Sequence, residues 1–382
     1  MKKLLLCSAL TILCFAASAQ EPERKGSGVE NALLDAVELI DGGNFQAAST
    51  MLDSLAAVAP ANDAVRYYQG ICRFSTGKFA EAEACFSQAL SLDPENNWYK
   101  ETLANLYINS GKIAQAEALY RELQADNPAK YPGIYVDAML ALAHRGARDY
   151  PSFFAALRRL VNESEADDDM KYEALMNALG NFDSRTLNAI MPQLDTLMRS
   201  YVEAEPRSVH AHNLCMQTAG TLGDHERVIE ECRALMALQP DDPEQQCNCL
   251  AIIGDTYYQT GNTRKAFKTY DQVLKIDPEY CHTLNNYAYY LSLLKRRLAK
   301  AEKMSLITVT KEPDNPTYLD TYGWILYLRG KAKEAKPYFK HAMLYGGKDS
   351  AVILMHFSLV LEKLGEKDLA TYYRNLAESK KK

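Results

Sequence analysis

Several polar residues have spacings that would suit metal chemistry, and each pattern is incomplete. Glu279 and His282 lie three residues apart, as in the ligand pair of a helical di-iron site. Such a site needs this motif twice, and the chain lacks the second copy. His210 and His212 are two residues apart, so on a helix they point to different sides and cannot hold one ion together. These residues therefore predict neither a di-iron site nor a two-histidine zinc site.

Cysteine and acidic clusters provide two weaker candidates for a metal site. Cys247 and Cys249, with Cys281 and His282 near the start of a neighbouring helix, could in principle hold zinc. Cys-x-Cys is not the usual spacing of zinc ligands, however. The run Asp167–Asp169 could attract a cation, but a short acidic run is more often a solvated loop. We therefore assign no metal.

The chain also lacks a recognisable catalytic constellation. Residues 26–28, Gly-Ser-Gly, precede the first expected helix and follow no strand, so they do not form a phosphate-binding loop. A cryptic enzyme in the irregular segment 129–206 is a further alternative, but too few paired acid–base residues lie there. We expect no catalytic residue and no cofactor, and we predict that the protein is not an enzyme.

The helices that carry these residues are arranged in sequence units that repeat about every 34 residues. A helix that ends at glycine, which tolerates the left-handed backbone conformation, is followed by a second helix that ends before proline. An alanine five residues after each glycine lets the two helices approach closely. The residues that show this interval first are Gly43, Gly77 and Gly111, then Ala48, Ala82 and Ala116, and then Pro60, Pro94 and Pro128.

This pattern resembles the tetratricopeptide repeat. One unit carries Gly254, Tyr257, Gly261, Ala266, Tyr270 and Pro278 at the family's positions. The unit 279–313 departs from the pattern, with Arg296 where the turn glycine is expected, and the unit 207–240 has Val228 in place of alanine. Seven of ten units carry the turn glycine: Gly43, Gly77, Gly111, Gly223, Gly261, Gly330 and Gly365.

The resemblance implies an all-α fold, a right-handed α-solenoid of about ten stacked antiparallel helix pairs. We divide the mature chain into a flexible segment (20–28), an N-terminal repeat block (29–128), a divergent middle segment (129–206) and a C-terminal repeat block (207–382). The middle segment is read as two helix pairs with a longer connection around residues 180–184. A hinge between the two blocks is the alternative for this segment.

The first residues have the pattern of a secretory signal peptide. Lys2 and Lys3 precede an apolar run from Leu4 to Ala16, and small residues at 17–19 suit cleavage before Gln20. The run is short for a retained membrane anchor, and Cys14 fits a lipoprotein attachment site poorly. We therefore predict a signal peptide at 1–19 and an exported, most simply periplasmic, protein. No integral membrane segment is expected after cleavage.

Charge excludes one class of partner. The formal net charge of the whole chain is −6, and removal of the two lysines with the signal peptide makes it −8. A nucleic-acid-binding protein needs a basic surface, which this composition does not provide. We therefore expect no nucleic acid partner.

Four of the cysteines lie symmetrically about turn glycines. In an antiparallel hairpin, residues equally far from the turn lie at equal height. Cys72 and Cys85 are placed in this way about Gly77, and Cys215 and Cys232 about Gly223. Each pair could form a disulfide in an exported protein if the side chains face each other. The alternative is that these cysteines are buried thiols that fill narrow spaces between helices.

The resemblance also indicates where a partner would bind. First helices of such pairs line a concave surface, on which exposed residues recur at spacings of three and four. Aromatic rings with amide and carboxylate neighbours suit an extended peptide, although the same rings could simply pack against the next helix. The candidates are Asn248, Asp255, Tyr258, Asn286, Tyr290, Asp320, Trp324 and Tyr327, with Tyr67, Trp98 and Asn105 in the N-terminal block.

These observations favour a non-enzymatic scaffold or adaptor of the bacterial cell envelope that binds an unidentified protein or peptide in its groove. The candidate positions contain no lysine or arginine, so a partner that offers a terminal carboxylate is disfavoured, and a neutral or basic segment fits better. A periplasmic or surface glycan-binding protein is the alternative. An exposed flat aromatic pair beside carboxylates would distinguish it.

Overall fold

The protein is all-helical throughout the part of the chain that the structure describes. A computed structural model describes residues 28–180 and 182–380, so the predicted signal peptide 1–19 and residues 20–27 lie outside the described part. No strand occurs among the described residues, and the prediction of an all-α fold is confirmed. The helices are α1 (Gly28–Asp41), α2 (Phe45–Val58), α3 (Asp63–Ser75), α4 (Phe79–Leu92), α5 (Asn97–Asn109), α6 (Ile113–Asp126), α7 (Gly133–Gly146), α8 (Tyr150–Val161), α9 (Asp168–Leu179), α10 (Ser184–Ala204), α11 (Val209–Leu222), α12 (His225–Leu238), α13 (Pro243–Gln259), α14 (Thr263–Ile276), α15 (Cys281–Leu293), α16 (Leu298–Lys311), α17 (Pro316–Leu328), α18 (Ala332–Leu344), α19 (Ala351–Lys363) and α20 (Lys367–Ser379), with one 3-10 helix at Gly347–Asp349.

The chain divides into two compact units, residues 1–156 and residues 157–382. Within the first unit each helix from α1 to α7 packs on the next one in sequence. Within the second unit the same holds from α10 to α20, and the first helices α13, α15, α17 and α19 also touch one another in turn. The division falls inside the predicted middle segment. Each unit is a row of stacked helix pairs, the arrangement of a tetratricopeptide-like solenoid.

Each regular pair turns at a glycine in the left-handed conformation. At Gly261, φ is 79°, and its N–H donates to the carbonyl of Tyr258 at 2.9 Å. The next residue, Asn262, then caps α14 by accepting a hydrogen bond from the N–H of Lys265 at 3.3 Å. A side chain at the glycine position would be strained, which explains the periodic glycine. All seven predicted turn glycines have φ between 72° and 82°.

Two pairs make the same turn without glycine. We expected Arg296 at the glycine position of the pair α15–α16, and this assignment is wrong. The left-handed residues of this turn are Lys295, at the glycine position, and Arg297, at the N-cap of α16, each with φ 49°. Lys295 N–H donates to the carbonyl of Ser292, the hydrogen bond that Gly261 makes in its own pair. One extra residue before α16 shifted the expected register. At the turn between α7 and α8, Arg148 takes the glycine's conformation, with φ 60°.

Close packing inside a pair depends on a glycine in the first helix beneath an aromatic ring of the second. A Cβ atom added to Gly254 would lie 2.4 Å from a ring carbon of Tyr270. The corresponding distance from Gly70 to Phe86 is also 2.4 Å, and an added Cβ on Gly323 would lie 2.7 Å from a ring carbon of Phe339. Because carbon atoms do not approach so closely, these rings occupy the space that any side chain would need.

In the pair α11–α12 the same space is filled by a large side chain on the first helix and a small one on the second. Met216 stands seven residues before its turn Gly223, where Gly254 stands before Gly261. Cys232 stands nine residues after the turn, at the ring's position, and its sulfur lies 3.3 Å from the sulfur of Met216. A long side chain on the first helix therefore packs against a short one on the second.

The middle segment 129–206 contains the four helices α7, α8, α9 and α10. Its extra length lies mainly in α10, which has 21 residues and includes Pro192 in its interior. Phe153, five residues after Arg148, stands where regular pairs have alanine, and it is fully buried. Because phenylalanine replaces the alanine expected five residues after the turn, this pair lacks one of the residues by which the repeat is recognised in sequence.

The acidic run that was considered for a cation is used by this fold. Asp167 caps α9 by accepting the N–H of Met170 at 2.8 Å. Asp168 accepts the hydroxyl of Tyr201 at 2.6 Å, which joins the start of α9 to the end of α10. A capping carboxylate and a buried hydrogen bond are structural roles, and they account for two of the three aspartates.

Replacement of Gly254 by alanine should destabilise the second unit by about 1–3 kcal/mol, because the new Cβ overpacks against Tyr270. Chemical denaturation followed by circular dichroism measures the change. The matched control is Gly220→Ala in α11, where the nearest atom to an added Cβ is 3.9 Å away. The control should be neutral or more stable by about 0.5–1 kcal/mol, since alanine favours a helix. Equal loss in both variants would contradict the ring-on-glycine contact.

Replacement of Lys295 by glycine should stabilise the protein by about 1 kcal/mol, because glycine removes the strain of a left-handed lysine. The shift in denaturation midpoint measures this. Arg296→Gly is the control and should bring no gain, since Arg296 is not among the residues with positive φ. A gain at residue 296 and none at 295 would show that the turn has the register first expected from the sequence.

Candidate partner-binding surface

Four first helices of the second unit, α13, α15, α17 and α19, carry the main candidate surface. Asn248, Asp255 and Tyr258 are spaced by seven and three residues on α13, so they share one face of that helix. Each of the four helices touches the next, so residues on this face of adjacent helices can meet. We call the face formed by the predicted residues of α13, α15 and α17 the aromatic–acidic surface.

Asp255 is the centre of a hydrogen-bonded group that joins α13 to its neighbours. Both carboxylate oxygens accept from the side-chain amide of Asn286 at 3.1 Å, which connects α13 to α15. The hydroxyl of Tyr270, from the second helix of the same pair, also donates to Asp255. His282 Nε2 lies 3.7 Å from the carboxylate. The side chain of Asp255 keeps 20% of its surface exposed, so one edge remains available to a partner.

Tyr258 and Tyr290 form a stacked pair beside this group. Their ring centroids are 3.5 Å apart and their planes differ by 11°. Burial, with Asp255 and Tyr258 nearby, raises the pKa of Tyr290 to about 12. Burial also raises the pKa of Tyr258. Both hydroxyls are therefore protonated at neutral pH and can donate or accept a hydrogen bond at the surface.

Asp320 and Trp324 of α17 meet a residue that the sequence did not single out, His356 of α19. His356 Nδ1 lies 2.9 Å from Asp320 Oδ1. Its ring stacks on Trp324 at 4.0 Å, and Tyr327 stacks on the same indole at 5.1 Å. Trp324 Nε1 is buried and has no hydrogen-bond partner among the described residues. Asp320 is only 5% exposed, so its direct role is to hold His356.

Asn248 lies apart from these two groups. Its side-chain oxygen accepts a hydrogen bond from the hydroxyl of Tyr280, which precedes α15. Burial is the main cause that raises the pKa of Tyr280, so this hydroxyl remains a donor. Asn248 therefore connects α13 to the start of the next pair and extends the surface toward the ends of the helices.

In the first unit, the predicted residues form a smaller group. Trp98 Nε1 donates to the hydroxyl of Tyr67 at 2.5 Å, and Trp98 is 41% exposed. Tyr67 is only 7% exposed and stacks on Tyr99 at 5.0 Å, so it belongs mainly to the packing between pairs. Asn105 accepts from the hydroxyl of Tyr120 at 2.7 Å. Trp98 is therefore the residue of this group best placed to touch a partner.

One missed participant had a signal in the sequence. Tyr120 follows Asn105 by 15 residues, and Tyr270 follows Asp255 by the same interval, with a hydrogen bond in each pair. A surface amide or carboxylate on the first helix, followed 15 residues later by tyrosine, thus indicates that the tyrosine of the second helix hydrogen-bonds to that group. His356 had no comparable signal, because it faces the preceding pair.

The four cysteines considered as disulfide partners are free thiols in the structure. Cys72, Cys215 and Cys232 are buried, and Cys85 is half-buried. Cys215 packs near Glu231, and burial is the main cause that raises its pKa to about 12. Burial likewise raises the pKa of Cys72 to about 11. The Cys72 and Cys215 thiols are therefore protonated at neutral pH.

No group of three or more histidine, cysteine, aspartate or glutamate side chains is arranged to hold a metal ion in residues 28–180 and 182–380. Within the same ranges, no helix has both the length and the apolar character that a membrane span requires.

Comparisons with known proteins give the following similarities. A 65-residue stretch is 35% identical to cellulose synthase operon protein C of Pseudomonas fluorescens (strain SBW25), which is 17% of this chain and 5% of that protein. Among solved structures, the P58(IPK) TPR domain has 17% identity and a TM-score of 0.32, with 89% of this chain and 99% of that one covered. The Cut9–Hcn1 heterotetramer of the APC/C has 12% identity and a TM-score of 0.41, with 92% and 87% covered.

Models of the tetratricopeptide repeat match residues 33–97, 73–143 and 138–382. The last match alone spans more than half of the chain and includes the whole aromatic–acidic surface. With the turn glycines and the ring-on-glycine contacts in place, these matches show that the chain belongs to the tetratricopeptide repeat family.

Proposed function

We propose that the protein is a non-enzymatic scaffold whose aromatic–acidic surface binds an extended segment of a partner protein in the bacterial cell envelope. Tetratricopeptide repeats support a protein-interaction scaffold in general. The observation that carries the specific proposal is the continuous row of half-exposed rings and hydrogen-bonding groups along α13, α15 and α17.

The chemistry of this row suits a peptide. Tyr258 and Tyr327 offer ring edges and hydroxyl groups, and Asp255 offers a partly exposed carboxylate edge. Aromatic rings supply buried area at low entropic cost, while amide and carboxylate groups hold main-chain N–H groups. Both kinds of group are held in place by contacts between helix pairs, so little ordering is needed when a peptide binds.

The charge of the aromatic–acidic surface limits the kind of partner segment that fits it. The aromatic–acidic surface contains Asp255 and Asp320 and no lysine or arginine, so it does not provide a cationic clamp for a terminal carboxylate. Asp320 is nearly buried and hydrogen-bonded to His356, which leaves Asp255 as the exposed acidic group. A neutral or basic internal segment therefore fits better than a free C-terminus, with a modest contribution from charge because water and salt screen it.

Glycan binding, the alternative function, receives less support from the ring geometry. A sugar stacks on an open aromatic face. Tyr258 and Tyr290 cover each other at 3.5 Å, and Trp324 is stacked by both His356 and Tyr327. The two ring groups nearest the carboxylates thus use their faces for contacts within the protein, and the peptide proposal is preferred.

The envelope location is part of the proposal and rests on the N-terminal sequence. Residues 1–19 have the order of basic, apolar and small residues of a signal peptide. The short similarity to a protein of a cellulose synthase operon is compatible with this location. An acidic mature chain with an interaction surface fits an adaptor between exported proteins.

Replacement of Tyr258 by alanine should weaken peptide binding by about tenfold or more, because truncation of a central aromatic residue costs about 1–2 kcal/mol. Twelve-residue peptides of neutral, basic and acidic composition on an array would identify binders, and fluorescence anisotropy would measure their affinity. The matched control is Tyr372→Ala, a tyrosine that is 59% exposed on the second helix α20. The control should change affinity less than about twofold, since exposed residues away from an interface contribute little.

Three results would count against the peptide proposal. Selected peptides could bind both variants equally, acidic peptides could be the preferred class, or a glycan array could give Tyr258-dependent signals while the peptide array gives none. Circular dichroism melting of each variant separates loss of binding from loss of fold.

The export prediction has its own test. Expression of the full chain in a Gram-negative host should give a periplasmic protein whose N-terminus is Gln20, as measured by intact mass. The control is the substitution Ala19→Arg, which should block cleavage, since the signal peptidase needs a small residue there. A chain that starts at Met1 in the cytoplasmic fraction would contradict the predicted signal peptide.

A further inference from the structure

The thiol pair of α12 and α13 is the feature that the proposed function leaves unexplained. Cys232 is six residues before the last residue of α12, and Cys249 is six residues after the first residue of α13. The two helices pack against each other and are joined by residues 239–242. Because they run in opposite directions, the two cysteines lie at equal height on neighbouring helices.

The side chains of Cys232 and Cys249 also meet in one group of buried residues. Both belong to one apolar cluster, with exposures of 0% and 1%, together with Leu235 and Ile253. Cys215, the partner first considered for Cys232, lies outside this cluster and packs near Glu231 instead.

Local packing explains why the sulfur atoms can meet. In three other pairs the position nine residues after the turn carries a large ring, Phe86, Tyr270 or Phe339, that fills the space over a glycine of the first helix. Here Met216 supplies that volume from the first helix, and Cys232 is small. The exchange leaves a short side chain, Cys232, in the same buried cluster as Cys249 of α13.

We propose that Cys232 and Cys249 form a disulfide that covalently joins two adjacent helix pairs of the second unit. The pair is a dithiol site for a disulfide-containing oxidant, such as oxidised glutathione or a thiol–disulfide oxidoreductase. The proposal is independent of the partner that binds the aromatic–acidic surface.

The reaction is an ordinary thiol–disulfide exchange in two steps. The thiolate of Cys249 attacks one sulfur of the oxidant's disulfide, and one thiol of the oxidant leaves. The thiolate of Cys232, after losing its proton to water, then attacks the sulfur of Cys249 and releases the second oxidant thiol. Two electrons and two protons pass from the cysteine pair to the oxidant, whose disulfide becomes two thiols.

The pKa values of Cys232 and Cys249 determine which thiol reacts first, and their burial determines when the reaction can occur. The proximity of Cys232 lowers the pKa of Cys249, and the proximity of Cys249 together with burial raises the pKa of Cys232. Cys249 is therefore the first nucleophile. Since both sulfurs are buried, the exchange belongs to folding or to a local opening of α12 from α13.

The test starts from the full chain, purified with reductant and refolded in a buffer of oxidised and reduced glutathione. Remaining thiols are alkylated in denaturant, and trypsin then produces the peptides 228–233 and 234–264. We expect these peptides to be linked, with fragment spectra that place the bond on Cys249 and not on Cys247. Oxidation should also raise the Tm by roughly 5 °C, because the bridge closes a short loop in the unfolded chain.

Matched variants complete the design. Cys215→Ser and Cys247→Ser should keep the link and the rise in Tm, whereas Cys249→Ala should lose both. Mapping of the unmodified chain decides the result even if a variant folds poorly. A bond between Cys215 and Cys232, or alkylation of both Cys232 and Cys249 after oxidation, would overturn the proposal. An unchanged Tm in a bridged chain would overturn the stabilising effect assigned to it.

Discussion

The contact between a glycine of one helix and a ring of the next determines how closely the helices of a pair approach. At Gly254 and Tyr270 no side chain fits between the ring and the first helix. Dispersion contacts over the whole ring compensate for the loss of a side chain. The same ring then extends its hydroxyl past the first helix to Asp255. The packing of a pair and the position of a surface carboxylate thus depend on one residue.

Contacts between successive pairs use the residues that form the aromatic–acidic surface. Asn286 reaches back to Asp255, and His356 reaches back to Asp320 and Trp324. The carboxylates of Asp255 and Asp320 are thus partly satisfied by the neighbouring pair, as buried or half-buried polar groups generally are. The surface is therefore preorganised by the stacking of the repeats, and a partner would meet groups whose directions are already fixed.

Much of the fold could be predicted because the backbone restricts it. A left-handed turn favours glycine strongly enough that seven positions were identified from sequence. The turns at Arg148 and Lys295 were missed, since these residues take the left-handed conformation without the glycine that marks it elsewhere. Phe153 concealed its pair in a similar way, because a buried phenylalanine replaces the expected alanine.

The sequence predicted which residues share one face of a helix, but it did not predict which side chains contact one another. Spacing along α13 placed Asp255 and Tyr258 together, while the direction of each side chain depends on rotamers that spacing does not determine. The cysteines show this limit clearly. Equal height about a turn is satisfied by Cys215 with Cys232 and also by Cys232 with Cys249. The two pairs differ in that only Cys232 and Cys249 lie in one buried cluster.

The exchange of sizes at Met216 and Cys232 has a consequence for how such a chain can evolve. The constraint applies to the summed volume of two positions, so neither position is restricted by itself. Conversion of a glycine–tyrosine pair into a methionine–cysteine pair by single steps passes through an overfilled or an empty intermediate. The two sites are therefore epistatic, and a mutational scan of one residue at a time would judge both as intolerant.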